Sequence, residues 1–182
     1  MRCSCREHPR FRTIRFALFA AVALVLFGCG YRFGPTSAES PFPPELKTIV
    51  LESAVNKTTI SGIEIELTNG LRQEFAVSRG LTAVRSGGDV SFKTIIASYV
   101  DTPSSYRADG KELTRIGTLN VACSLNRSSD PRKILWNKDL SASYSYNVTD
   151  TISETLTNRR SAISQMIRGL IPRIHQSLYD NF

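Results

Sequence analysis

Apolar positions along this chain recur with two periods, near four residues and near two, and the stretches of each kind predict its elements. Thr48 to Glu52 (TIVLE) is a short β-branched run that predicts a strand, broken by Asn56-Lys57-Thr58-Thr59. Ile63, Leu67, Leu71 and Phe75 then recur every four residues, the stripe of an amphipathic helix. Ser61 and Glu64 stand at capping-box spacing, with Ile60 and Ile65 at staple positions and Gly80 as a natural stop. A short strand is predicted over 81–85, a turn at Ser86-Gly87-Gly88-Asp89, and a long strand over 90–100. Residues 102–112 (TPSSYRADGKE) read as a polar loop.

Leu119, Val121, Cys123 and Leu125 alternate with small or polar residues, which predicts a strand with one buried face. After a turn at Ser128 to Pro131, Ile134, Trp136, Leu140, Ala142, Tyr144 and Tyr146 share one phase, broken only by Lys138. These two strands predict a hairpin with one face covered and the other open to water or a partner. Thr151 and Glu154 form a second capping-box pattern. Ile163, Ile167, Leu170, Ile174 and Leu178 follow at helical spacing, and Pro172 is expected to kink that helix near Gly169. The expected architecture is an α/β (α+β) two-layer sandwich of order β-α-β-β-β-α, with two helices over one face of a four-stranded sheet.

Composition changes this picture only at the N-terminus. The 182 residues fit one domain, and 41% hydrophobic with 21% charged residues is ordinary for a globular fold. A formal charge of +7 invites a nucleic-acid reading. Five of the arginines, however, lie between Arg2 and Arg15, ahead of the uncharged run FALFAAVALVLF. Twelve helical residues reach about 18 Å, well short of a ~30 Å bilayer core. Length and basic flank are those of a signal peptide, an uncleaved anchor being the alternative. Leu26-Phe27-Gly28-Cys29 resembles a bacterial lipobox, although Phe27 is larger than the usual occupant. Cys29 is therefore the expected lipidation site, and Gly30 after it favours the outer membrane. Cleavage there leaves 18 basic and 15 acidic residues, with no dense basic patch, so no nucleic-acid partner is expected.

The expected organisation is a signal segment at 1–28, a lipidated N-terminus and Pro-rich tether at 29–45, and one domain at 46–182. Cys3 and Cys5 leave with the signal and Cys29 takes lipid, so Cys123 has no disulfide partner and reads as a buried core thiol.

Catalytic patterns are absent from the sequence. No metal-ligand spacing, nucleophile elbow or phosphate loop occurs, and no cofactor is expected. His175, between core positions of the last helix, reads as a solvated residue, not a base. Arg107, Lys111 and Arg115 flank the 102–112 loop, and Arg132 and Lys133 sit at the next turn. In antiparallel neighbours these are two small patches at opposite strand ends. They read as solvated charge or as contacts to phosphate groups.

Cys29-Gly30-Tyr31-Arg32-Phe33, the strand ending in Asn56-Lys57-Thr58, the helix from Gly62 to Phe75 and the closing helix from Arg159 to Leu178 together resemble the lipopolysaccharide-assembly lipoproteins of the LptE family. The resemblance implies a lipoprotein on the inner leaflet of the outer membrane. It also implies that the domain plugs the lumen of an LptD-like β-barrel, and that it contacts lipopolysaccharide through basic residues. Only Cys29 carries over as a matched functional position; Arg107, Lys111, Arg115, Arg132 and Lys133 are candidates without a motif. A stand-alone periplasmic lipid- or glycan-binding lipoprotein, using an apolar groove between helix and sheet, is the alternative.

Overall fold

The computed structural model describes residues 41–78 and 80–182. The expected signal segment at 1–28, Cys29 and the expected tether as far as residue 40 lie outside the described residues. Chain order is β1 (Thr48–Leu51), β2 (Val55–Asn56), α1 (Ile63–Val77), β3 (Thr82–Val84), β4 (Val90–Tyr106), β5 (Glu112–Arg127), β6 (Asp130–Asn147) and α2 (Ile152–Tyr179). The strands make one six-stranded sheet in the order β3-β1-β4-β5-β6, with β2 also paired to β4. β1 runs parallel to β3 and to β4, while β4, β5 and β6 form an antiparallel meander. A parallel pair needs a crossover, and α1 supplies the one between β1 and β3.

The mixed α+β class and the two helices match the sequence pattern, but the four-strand count and the β-α-β-β-β-α order do not. β2 is two residues long and resumes the line of β1 along β4 after a break at 52–54, too short to show a period. β3 falls within the predicted 81–85 strand, which the four-strand count leaves out, and makes a further parallel edge beyond β1.

Residues 102–112 are not a loop either. β4 continues to Tyr106 and β5 begins at Glu112, around a tight turn in which Arg107 N–H donates to Lys111 C=O at 2.7 Å and Gly110 adopts φ 81°. The stretch is polar because Thr102, Ser104 and their neighbours face water, not because the backbone is irregular. Ser105 and Thr114 share a 2.6 Å hydroxyl bond across the pair.

Both helical stripes are buried as expected. Leu67, Phe75, Ile167, Leu170 and Ile174 pack in one core with Phe92, Ile96, Leu119 and Leu125 of the meander. The helices lie side by side in the same direction: Ser164 Oγ donates to Glu66 at 3.0 Å, and the Phe75 and His175 rings meet edge-on at 5.0 Å. Between them Gly70 permits close approach, since a Cβ there would fall 2.1 Å from Cδ1 of Ile171. Phe42 and Leu46 also join this core. The Phe42 ring meets Tyr179 edge-on at 5.0 Å and Phe182 at 4.8 Å.

Helix starts depart from the capping boxes. Gly62, at φ 89°, is the N-cap of α1, and no side chain caps it. Glu64 still reaches back, accepting from Gly62 N–H at 3.1 Å and from Asn56 Nδ2 at 2.8 Å. Asn56 also accepts from Thr58 N–H and donates to Ile60 C=O, so it ties β2 to the start of α1. Ile65, placed for a staple, is exposed. At α2 the N-cap Thr151 makes no side-chain bond, and Thr155 Oγ1 instead accepts from Thr149 N–H at 2.9 Å. α2 continues through Pro172, whose ring is exposed.

Candidate functional site

The core face of the meander changes character along its length. From Phe92 to Leu119 it is aliphatic and aromatic. Beyond Tyr99 it becomes ionic, because Asp101, Arg115 and Tyr146 occupy successive inward positions. Asp101 accepts from Arg115 Nε at 2.9 Å and from the Tyr146 hydroxyl at 2.7 Å. Arg159 of α2 brings its Nε to 3.4 Å from the same carboxylate and its guanidinium to 4.9 Å over the Tyr99 ring. Arg115 also donates to Glu112 at 2.6 Å and to Asp101 C=O at 3.0 Å. Hydrogen bonds to Asp101 and then Glu112 hold Arg115 still more firmly protonated than usual. Burial, then the Asp101 contact, pushes the Tyr146 hydroxyl up, and burial raises Tyr99 as well. Gly117 lies under Tyr99, where a Cβ would fall 2.5 Å from the hydroxyl.

This network decides what the basic candidates can offer. Arg115 is only 25% exposed and its charge is met by two carboxylates. Arg107 is bound to Asp150 at 3.1 Å and to Val148 C=O at 3.2 Å. Lys111 stands at 3.9 Å from Asp109 and 4.0 Å from Asp150, exposed and loosely held. Arg132 and Lys133 are exposed at the β5–β6 turn and form no ion pair among the described residues. The antiparallel pairing puts the two groups at opposite ends of β5, whose 16 residues span about 50 Å.

The remaining titratable candidates are packed away. His175 is not solvated: it is half-buried between Phe75 and Tyr179, and burial lowers its pKa, so it stays neutral at pH 7. Burial pushes the Cys123 thiol up to about 12, which makes it inert as a nucleophile. A partly aliphatic concavity lies between the two helices. It is a groove of about 490 Å³ lined by Ile60, Ile63, Glu66, Leu156, Arg159 and Arg160, among others.

Sequence reasoning missed Asp101, Tyr146 and Arg159, which are 13 to 58 positions apart and meet only through strand pairing and the packing of α2 on the sheet. Two signals were present. Arg159 and Arg160 stand where the apolar stripe from Leu156 to Ile163 calls for a hydrophobic residue. Gly117, inside an alternating strand, marks a close approach.

A family model described as lipopolysaccharide-assembly, LptE, matches residues 46–178. Rare lipoprotein B from Shewanella oneidensis has the same fold, with a TM-score of 0.52 at 15% identity, over 72% of this chain and 95% of that one. A minor lipoprotein from Acinetobacter baumannii aligns with a TM-score of 0.49 at 14% identity, over 75% of this chain and 93% of that one. Among curated protein sequences none matches this chain.

Proposed function

The chain belongs to the LptE lipopolysaccharide-assembly family, and from that premise we propose that it is an outer-membrane lipoprotein, acylated at Cys29, that plugs and stabilises an LptD-like β-barrel and assists lipopolysaccharide assembly. The observation that carries the reading is the family match across almost the whole described domain. The family is one of assembly proteins and not of enzymes, in keeping with a neutral, packed His175 and an inert Cys123. The open sheet face supports a plug. Its residues are small and mostly uncharged, and they are held by cross-strand bonds such as Thr118 to Ser143 at 2.8 Å and Asn120 to Ser98 at 2.9 Å. Such a face is far less costly to desolvate than a charged one.

Within this reading Arg132 and Lys133 are the phosphate contacts we favour, with Lys111 next, because their charges are not already met by buried carboxylates. Arg107 and Arg115 are better placed to hold the fold together.

The test is a mild-detergent extraction of the full-length tagged protein from its own membranes, with mass identification of what accompanies it. A stoichiometric large barrel, lost from the membrane pool when Cys29→Ser abolishes acylation, is the expected result. A protein quantitatively without a barrel but carrying lipid or glycan would replace the plug with the stand-alone binding lipoprotein. Arg132→Ala with Lys133→Ala should weaken lipopolysaccharide retention while leaving barrel recovery intact.

A further inference from the structure

α2 is longer than the helix that covers it. α1 starts at Ile63, and in its first turn Glu66 is level with Ser164, to which it is bonded at 3.0 Å. Downstream of that level the α2 stripe is buried without interruption from Ile163 to Leu178. Upstream the same stripe continues through Leu156 and Ile152, which are 56% and 79% exposed. The first turns of α2 thus carry an apolar face that α1 stops short of covering. The groove of about 490 Å³ lies at this step, within the size range of ligand sites. Ile60, Ile63 and Leu156 supply its aliphatic lining and Arg159 and Arg160 one cationic wall. Arg160 is exposed and forms no ion pair among the described residues, whereas Arg159 is already paired with Asp101 at 3.4 Å.

We infer that this step is a docking slot for a peptide segment of a partner protein, an amphipathic turn of helix that bears aliphatic side chains and a carboxylate. A helix-in-groove arrangement, end to end with α1, would cover Leu156 and Ile152 and set an Asp or Glu against Arg160. Charge complementarity sets the carboxylate at Arg160, the cation of this wall that no carboxylate meets, since Arg159 is already paired with Asp101 and Glu66, on the same lining, accepts from Ser164. A peptide fits better than an acyl chain because Ser61, Ser164 and Glu66 interrupt the aliphatic lining. An alkyl chain would bury those polar groups without compensation, whereas a peptide carries donors and acceptors of its own. The inference rests on the reading that the protein acts against a protein partner, without requiring that partner to be a barrel.

The full-length acylated protein, carrying a photo-reactive residue at Ser61 or Ile152, is irradiated in its own membranes and the adduct is mapped by peptide sequencing. The expected adduct is a peptide with Leu or Ile next to Asp or Glu. Its yield should fall by about tenfold or more with Leu156→Glu or Arg160→Glu, as for a central interface residue, and stay level with Arg168→Glu on the exposed side of α2. A lipid adduct, no adduct, or a yield indifferent to Leu156→Glu and Arg160→Glu overturns the slot. If a barrel co-purifies while any of these occurs, the plug stands and only the slot falls. If the expected peptide belongs to a protein that is not a barrel and no barrel co-purifies, the slot stands and the plug falls.

Discussion

The two ends of the meander are built on opposite principles. At the end that pairs with β1, two helices press Phe75, Leu170 and Ile174 onto Phe92 and Leu125, and packing dominates, with Asp89 tying β1 to the start of β4 at the margin. At the other end one helix meets the sheet, Asp101, Arg115 and Tyr146 are joined by directed bonds, and Arg159 adds its charge at 3.4 Å. Dispersion and burial tolerate substitution of similar volume, but an ionic cluster loses most of its stabilisation when one member goes. The apolar end is therefore the source of global stability and the ionic end the source of local order.

The largest effect that would break this contrast is at the apolar end. Phe75→Ala should cost about 3–5 kcal/mol in urea unfolding, with both ends lost together. Unfolding confined to one end would show that they are not one cooperative unit. Asp101→Ala should cost about 2–3 kcal/mol, less than a fully buried ion pair because Arg115 and Arg159 keep some solvent. Hydrogen exchange should then quicken at 99–117 and 143–147, while emission from Trp136, stacked on Phe92 at the apolar end, stays native. Gly117→Ala should cost about 1–2 kcal/mol, since the added methyl meets the Tyr99 hydroxyl, the far end of a ring that can shift.

Titration sharpens the same contrast. Glu64 and Asp89 are held below the usual carboxylate range, Asp89 chiefly by the backbone N–H of Lys47 and then by Thr48. Their contribution is present above about pH 4 and is lost as pH falls through the lowered folded values. Tyr99 and Tyr146 are raised, so their contribution is present below about pH 10 and is lost as pH rises. Acid should first disturb Trp136 emission, and alkali should first disturb amide protection around Gly117. The smallest effect is a near-zero one: Ser61→Ala should stay within about 0.5 kcal/mol, because Gly62 and Glu64 start α1 without it.

What the sequence made legible follows from range. The stripes Ile63–Phe75 and Ile163–Leu178 and the alternation Leu119–Leu125 are local periods, and all are buried as read. The 102–112 stretch was misread because both of its faces meet water or ions, so no period of two survives there. Ser61 was misread because the positive φ of Gly62 moves the cap by one residue, a backbone fact that capping patterns do not encode. The ionic cluster was signalled only at Arg159 and Gly117, because its members come from three strands and a helix. Of the five basic candidates, their two-ended placement was legible and their engagement with carboxylates was not.

The pairing of β5 also sets an order of events. It bonds on both sides to strands adjacent in sequence, across the turns at 107–111 and 128–129. β1 must instead find β3 and β4 across the intervening α1. Local pairings close faster than distant ones, so refolding followed by pulsed exchange should protect β5 before β1. Until β1 and β2 arrive, the Val90–Ile96 edge of β4 is an unpaired apolar strand, the kind of surface that recruits other chains. A newly made molecule would be most in need of a chaperone in that interval, and least in need of one once its earliest strand has closed the sheet.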